Sequence, residues 1–231
     1  QENLDLGLAF DGDADRVAVV TNSGEIIWPD RLLMLFAKDL LGRSPGADIL
    51  FDVKCSRALP AIIRKNGGRP MMYKTGHSLI KSKMAETKSP LAGEMSGHIF
   101  FADKYYGFDD ALYAGLRLLR VLARTGKSLA ELFDSLPVTV NTPEIRMPCD
   151  DARKFGVITE VRDRLRANGA TFTDVDGVRV RTGDGWWLLR ASNTEGALVV
   201  RCESSDEAGL ARLKDAVAGE LRQCGVAPPA F

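Results

Sequence analysis

Asp48-Ile49-Leu50-Phe51-Asp52-Val53, then Arg57 to Lys65, then Arg69-Pro70-Met71-Met72-Tyr73: these three consecutive stretches decide the fold class. The two short apolar runs read as buried strands and the segment between them as a helix. Strands that alternate with helices predict an α/β fold, a mixed and mainly parallel sheet with helices on both faces. In such sheets ligands sit beyond the carboxyl ends of the strands. The segments after Val53 and Tyr73 are therefore the ones to inspect, Lys54-Cys55-Ser56 and Lys74-Thr75-Gly76-His77-Ser78. His77 falls near the start of a helix expected to run to about Glu86, where free backbone N–H groups favour an anion and an imidazole can donate or carry a proton. A lone Lys54 reads as a solvated surface lysine and a lone histidine as a core residue; position after a strand end lifts Lys54 and His77 above that.

Toward the N-terminus lies Asp11-Gly12-Asp13-Ala14-Asp15-Arg16, between the apolar runs Leu4 to Phe10 and Val17 to Val20. It reads as a tight loop between two buried strands. Carboxylates at every second position repel one another by roughly 4 kcal/mol per pair at an effective dielectric near 20, so the loop needs a cation. Oxygen ligands select a hard ion, and a site with three protein ligands leaves room for water or phosphate, which suits Mg2+ better than Ca2+. An EF-hand also begins D-x-D-x-D, but it wants Gly and Glu where this chain has Arg16 and Asn22. A haloacid-dehalogenase-type phosphatase also places D-x-D after an apolar strand; Asp15 and the lack of a downstream Gly-Asp-x-x-x-Asp pattern count against it. A solvated acidic turn explains one or two such Asp residues better than it explains three after a buried strand.

Asn22-Ser23-Gly24 predicts a turn between Val17-Thr21 and Glu25-Trp28, and Pro29 opens a helix with Leu32, Leu33, Leu35, Phe36, Leu40 and Leu41 as its apolar stripe up to Gly42. Further on, Leu91 to Phe101 encloses a polar loop in which Glu94 and Ser96 can accept from and donate to adjacent hydroxyls, with His98 beside them. A polar turn between two strands explains that pattern almost as well. Phe108 to Arg124 is expected to form an amphipathic helix with Ala111, Leu112, Leu116, Leu119 and Leu122 on one side, and Ser128 to cap a shorter one ending near Ser135.

Leu136-Pro137 and Asn141-Thr142-Pro143 mark a connector, and a boundary near Pro137 is the preferred division. Beyond it the sequence predicts a strand at 138–146, a helix at 151–167, strands near 171–182, 186–190 and 197–203, and a helix at 206–223 capped by Ser204 or Ser205. This order describes a smaller α+β domain with helices on one face. Arg190-Ala191-Ser192-Asn193-Thr194-Glu195-Gly196 joins two of its strands. Its guanidinium, hydroxyls, amide and backbone N–H groups suit a phosphate, and Arg201 can add charge. A polar hairpin loop is the plainer reading of that stretch alone, and Trp186 and Trp187 read as packing residues.

Over 231 residues Lys+Arg and Asp+Glu cancel to a net charge of zero, so the totals carry no footprint for nucleic acid or an anionic membrane. Cys55, Cys149, Cys202 and Cys224 are scattered without ligand spacing, as expected for reduced thiols in a cytoplasmic protein. No apolar run approaches ~18 residues. The start at Gln1, without Met and in the approach to a strand, leads to the expectation that residues upstream are missing.

The acidic loop, Lys54, Gly76-His77, the Gly93 to His98 loop and the Arg190 to Thr194 loop occur in this order in one family. The chain resembles the α-D-phosphohexomutases, and Gly93-Glu94-Met95-Ser96-Gly97-His98 is similar to the phosphomannomutase/phosphoglucomutase branch. The resemblance covers nearly the whole chain and implies four domains around a cleft. Residues 1–25 would then end the metal-binding second domain, 26–137 form the sugar-binding third and 138–231 the phosphate-binding fourth. It implies that Asp11, Asp13 and Asp15 are Mg2+ ligands with Arg16 beside them. Lys54, Gly76 and His77 match cleft residues near the reacting group, where proton transfer is expected. Glu94, Ser96 and His98 match the sugar-recognition loop, with Glu94 and Ser96 on the 3- and 4-hydroxyls, which tolerates both glucose and mannose. Arg190, Ser192, Asn193 and Thr194 match the grip on the non-reacting phosphate; Gly196 departs from the Pro that relatives often carry. The family's phosphoserine lies in a first domain with no counterpart here. The implied reaction interconverts hexose 1- and 6-phosphates through glucose 1,6-bisphosphate, and the chain alone is expected to be inactive until a missing N-terminal half supplies the phosphoserine. A phosphoglucosamine mutase, or a module that binds phosphosugars without turning them over, remains open.

Overall fold

The computed structural model describes residues 4–231. Gln1-Glu2-Asn3, with which the expected segment 1–25 begins, lie outside the described residues. The chain divides into two compact units, Gln1–Pro137 and Val138–Phe231.

In the first unit, β1 (Leu6–Phe10), β2 (Val17–Thr21) and β3 (Ile26–Ile27) form a three-stranded antiparallel sheet in that order. The expectation of two buried strands around the acidic loop holds for β2, whose Val17 and Val19 are buried, and not for β1. An edge strand has one neighbour only, and Gly7, Ala9 and Phe10 of β1 stay exposed. α1 (Pro29–Leu41) follows, with Pro at its first turn where the absent N–H costs nothing.

The second sheet of this unit is built from β4 (Asp48–Asp52), α2 (Ala58–Lys65), β5 (Arg69–Tyr73), α3 (His77–Thr87), β6 (Leu91–Gly93) and β7 (Ile99–Phe101). Strand order is β5-β4-β6-β7; β4 runs parallel to β5 and β6, and β7 antiparallel to β6. The period of two along each strand sends alternate side chains to opposite faces. Ile49, Phe51, Leu91, Ile99 and Phe101 join one core with Leu33, Phe36, Leu59 and Leu118. Leu50, Ala92 and Phe100 join a second with Ile80 and Met84 of α3. Both faces are therefore covered, and each fully buried Leu, Ile or Phe contributes roughly 1.5–3 kcal/mol.

α4 (Ala111–Thr125) corrects the expected stripe. Leu112, Leu116 and Leu119 are exposed, and the buried face is Ala111, Ala114, Gly115, Leu118 and Val121 with Arg117. Close packing selects the small residues: a Cβ on Gly115 would stand 3.2 Å from Leu8 Cδ1. α5 (Leu129–Asp134) starts as expected at Ser128, in a reciprocal capping box with Glu131.

The second unit holds β8 (Val140–Asn141), β9 (Ile145–Pro148), α6 (Asp151–Ala167), β10 (Phe172–Thr173), β11 (Val178–Arg181), β12 (Gly185–Ala191), β13 (Ala197–Ser204) and α7 (Glu207–Gln223). β10-β11-β12-β13 is an antiparallel run completed by β8 and β9, which both pair with β13. The expected strand 138–146 is two pieces because Pro143 interrupts it, and the expected 171–182 is broken by a turn whose Gly177 has φ +78. Val157, Val161, Leu213 and Val217 pack on the face formed by Val178, Trp187, Leu189, Leu198 and Val200, so both helices lie on one side of the sheet. The opposite face alternates into Arg179, Trp186, Leu188, Arg190, Arg201 and Glu203. There Trp186 lies 3.8 Å under the Arg179 guanidinium and donates to Glu203 Oε1 at 3.0 Å. α7 is capped by Asp206, which accepts from Gly209 N at 2.7 Å, and not by Ser204 or Ser205; Ser204 Oγ donates instead to Asp184 O.

Candidate functional site

The acidic loop turns tightly because Ala14 N donates to Asp11 O at 3.1 Å and Ala14 takes φ 56, a conformation uncommon outside glycine. Two backbone bonds fix it in place: Val17 N to Gly97 O at 3.2 Å and Ala111 N to Ala14 O at 3.0 Å. An antiparallel bridge also pairs Arg16 with His98. Gly97 permits this approach, since its φ is +106 and an added Cβ would stand 3.3 Å from Arg16 Cβ.

Ligand atoms of Asp11, Asp13 and Asp15 lie within 4.8 Å of one another. Arg16 donates its backbone N–H to Asp11 Oδ1 at 3.1 Å and its Nε to Oδ2 at 2.5 Å. Desolvation pushes Asp11 upward, but the Arg16 hydrogen bonds outweigh it and hold the carboxyl below its ordinary value. Asp15 moves the other way, raised by desolvation and by the Asp11 and Asp13 charges against the pull of His98. Its Oδ1 is buried without a hydrogen-bond partner. Three clustered carboxylates, one with an orphaned buried oxygen, fit a hard divalent cation. A cleft of about 410 Å3 opens beside the loop, and Asp11, Arg16, Trp28, Met95 and Ser96 are among the residues that line it.

The carboxyl ends of β4 and β5 bring in the other groups. Lys54 is buried, with Nζ 3.7 Å from Asp52 Oδ2. Gly76, at φ +138, donates its N–H to Glu94 Oε1 at 2.6 Å. Glu94 is itself 2% exposed; burial and the Asp52 charge push it up to about 7. The rings of His77 and His98 are stacked with centroids 5.2 Å apart. Both meet Asp109, whose Oδ2 is 3.1 Å from His77 Nδ1 and 2.9 Å from His98 Nδ1, while Lys81 Nζ is 2.9 Å from Oδ1. Burial pushes Asp109 upward, and the Lys81 hydrogen bond outweighs it, so the carboxyl lies below its ordinary value. Burial moves His98 down from its ordinary value.

The structure thus brings Asp11, Asp13, Asp15, Arg16, Ser96 and His98 together, and joins His77 to them through Asp109. Gly76 acts through Glu94. Sequence reasoning missed Asp109 and Lys81: Asp109-Asp110 reads as the polar start of a helix and carries no ligand spacing, and Lys81 lies one turn beyond His77 on α3.

In the second unit, Arg190 is buried and donates Nε to Asp176 Oδ2 at 2.9 Å. Ser192 Oγ accepts from Thr194 N at 3.4 Å and Glu195 N at 3.2 Å, which closes the turn, and Asn193 and Thr194 are exposed at its tip. Lys154 Nζ donates to Glu195 O at 2.8 Å, tying the turn to α6. Arg201 is buried within the sheet face below Trp186.

Comparison with known proteins finds two family models. Residues 28–140 match "Phosphoglucomutase/phosphomannomutase, alpha/beta/alpha domain III", and residues 144–220 match "Phosphoglucomutase/phosphomannomutase, C-terminal domain". A phosphomannomutase/phosphoglucomutase of Pseudomonas putida is 53% identical over 221 residues, covering 96% of this chain and 48% of the relative. A crystal structure of a phosphoglucomutase/phosphomannomutase family protein from Burkholderia thailandensis superposes with a TM-score of 0.90 at 47% identity, over 99% of this chain and 48% of that one. An N-acetylphosphoglucosamine mutase of Aspergillus fumigatus, solved with GlcNAc-6P and magnesium, shares the fold at a TM-score of 0.69 and 18% identity, over 98% of this chain and 50% of that one. The chain spans about half the length of the curated relatives it matches. Among the described residues no helix is long and apolar enough to cross a membrane.

Proposed function

Because this chain belongs to the phosphoglucomutase/phosphomannomutase family, we propose that it supplies the metal, sugar and phosphate sites of an enzyme that interconverts hexose 1- and 6-phosphates. The observation that carries this reading is the backbone stitching of the three-carboxylate loop to the Glu94–His98 loop, which supports a metal site next to a hydroxyl-reading turn.

In this reading residues 1–25 complete a metal-binding domain, 26–137 form the sugar domain and 138–231 the phosphate domain. Asp11, Asp13 and Asp15 hold Mg2+. When bound, that ion supplies positive charge to offset the charge passing between phosphate oxygens. Arg16 keeps Asp11 ionised and adds its own charge beside the transferring group. Glu94 keeps one oxygen on Gly76 N–H and offers the other to a sugar hydroxyl; with its carboxyl near 7 it can donate as well as accept close to neutrality. Ser96, exposed on the rim of the cleft, takes the neighbouring hydroxyl. Lys54 and His77 serve proton transfer. Arg190 offers its two Nη groups to the non-reacting phosphate, and the exposed Asn193 and Thr194 close on it, with Ser192 setting the turn. The phosphoryl donor is a phosphoserine on an N-terminal portion outside these residues, glucose 1,6-bisphosphate is the intermediate, and the cytoplasm is the place of action.

The test is a coupled assay of the intact enzyme for glucose 1-phosphate and mannose 1-phosphate, with Mg2+ and a trace of hexose 1,6-bisphosphate. Conversion of either to the 6-phosphate is expected, and residues 1–231 alone should bind the sugar phosphate without turning it over. Turnover of glucosamine phosphate alone, or of no sugar phosphate, overturns the assignment.

A further inference from the structure

Asp109 belongs to none of the sequence patterns above, yet three cationic or imidazole groups from two different elements converge on its nearly buried carboxylate. Its backbone is held by an antiparallel bridge to Phe100, and the next residue, Asp110, caps α4. Lys81 Nζ takes Oδ1 at 2.9 Å, and His77 Nδ1 bonds Oδ2 at 3.1 Å. His98 Nδ1 approaches the same Oδ2 to 2.9 Å, off the line of an ideal hydrogen bond. Its next carboxylate, Asp15 Oδ2, is 3.6 Å away.

An ionised carboxylate only accepts hydrogen bonds. A bare imidazole lone pair facing a carboxylate oxygen would repel it, so the 3.1 Å hydrogen bond requires a proton on Nδ1 of His77, and the 2.9 Å approach of His98 Nδ1 to the same oxygen favours one there. The proton on Nδ1 of a neutral imidazole leaves Nε2 bare, which fixes the tautomer. Lys81 also passes 3.5 Å from His77 Nδ1, where donation would demand the opposite tautomer, but the 3.1 Å contact of that Nδ1 with Asp109 Oδ2 is the shorter of the two. Ligand atoms of Asp15, His77, His98 and Asp109 are also close enough to share a cation. The near-parallel stack, with rings inclined by 18° and both Nδ1 atoms within 3.1 Å of one oxygen, instead gathers two imidazoles on one acceptor, with the hydrogen bond made by His77.

We propose that Asp109 is a positioning residue that holds His77 and His98 as a stacked pair in the Nδ1–H tautomer, so that both present a bare Nε2 to the sugar phosphate. The catalytic half of this statement rests on the proposed function; the tautomer half does not. Lys81 completes the device by neutralising Asp109 through its other oxygen, Oδ1.

The test uses the intact protein labelled with 15N-histidine, with the two rings assigned through His77→Gln and His98→Gln. Long-range 1H–15N spectra near neutral pH should show both residues as Nδ1–H. Asp109→Ala should move both toward Nε2–H, and Asp109→Asn, which keeps the shape and one acceptor oxygen, should fall between and serves if the alanine variant does not fold. In the mutase assay Asp109→Ala should lower kcat at least about tenfold while KM changes less than about twofold, the split expected when proton transfer and not binding is impaired. Nε2–H tautomers in the unaltered protein, unchanged tautomers in Asp109→Ala, or a rise in KM at constant kcat would each overturn the proposal. Correct tautomers in an enzyme without mutase activity would instead uphold the positioning of the rings and sink the functional reading.

Discussion

The acidic loop at residues 11–16 and the turn at residues 190–196 are both short connections between antiparallel strands, and they manage charge in opposite ways. The first gathers three carboxylates, pairs two of them with Arg16 and leaves a buried Asp15 oxygen without a hydrogen bond. The second starts from a single buried Arg190 already held by Asp176, and closes through its own Ser192 hydroxyl. One region keeps its carboxylates clustered, as the proposed cation site requires; the other is closed by its own groups and leaves Asn193 and Thr194 outward. The lesson is that metal dependence should reside in the first unit, and that changes in the second should alter affinity without touching the metal.

The strongest way to break this contrast is Asp13→Ala. Asp13 is exposed, so its loss should leave the folding transition in place while turnover falls by roughly a thousandfold, the scale of several kcal/mol that a catalytic metal supplies. Mg2+ titration calorimetry alongside the assay checks that the ion is what was lost, and full activity would discard the metal assignment. Glu94→Gln sharpens the picture of a first unit that buries acidic groups. The folded carboxyl lies at about 7 against an ordinary value of 4.5, so between those values the folded state keeps a proton that the unfolded state has released. Stability from this group is therefore present below pH 4.5 and is lost as pH rises to 7, by roughly 3 kcal/mol. Urea unfolding at pH 5 and pH 8 should show a smaller difference for Glu94→Gln than for the unaltered protein. The smallest effect belongs to the second unit: Arg190→Lys keeps a charge opposite Asp176 but loses the planar fork, and should raise KM for the sugar phosphate roughly tenfold with kcat and Mg2+ affinity little changed. A collapse of kcat there would erase the distinction between the two regions.

Much of the fold was legible because β4, β5 and β13 are short runs rich in apolar residues bounded by turns, and α1, α6 and α7 have helical length with start and stop signals. α4 was legible as a helix and misread in its facing. Size favoured Leu112, Leu116 and Leu119 as the inward stripe, whereas the close approach of β1 to Gly115 needs small residues and turns the leucines to water. The cap of α7 was missed by one or two positions since Ser204 is still part of β13 and engages Asp184. In the candidate site, Asp11, Asp13 and Asp15 announce themselves by spacing, and the Glu94 to His98 loop by its flanking glycines and apolar runs. Asp109 does not, because its meaning lies in what α3 and the loop before β7 bring to it. Asp176 is hidden in the same way, reaching Arg190 only through the pairing of β11 with β12.

The two backbone bonds that pin the acidic loop, to Gly97 on one side and to Ala111 on the other, join segments far apart along the chain. Such closures tie the loop's geometry to the rest of the first unit, because neither bond can form until the Gly97 turn and the start of α4 are in place. The arrangement of the three aspartates therefore belongs to the folded unit and not to the hexapeptide: an excised peptide would keep the carboxylates and lose their spacing, and a lesion that undocks α4 would disturb that spacing without touching one of them.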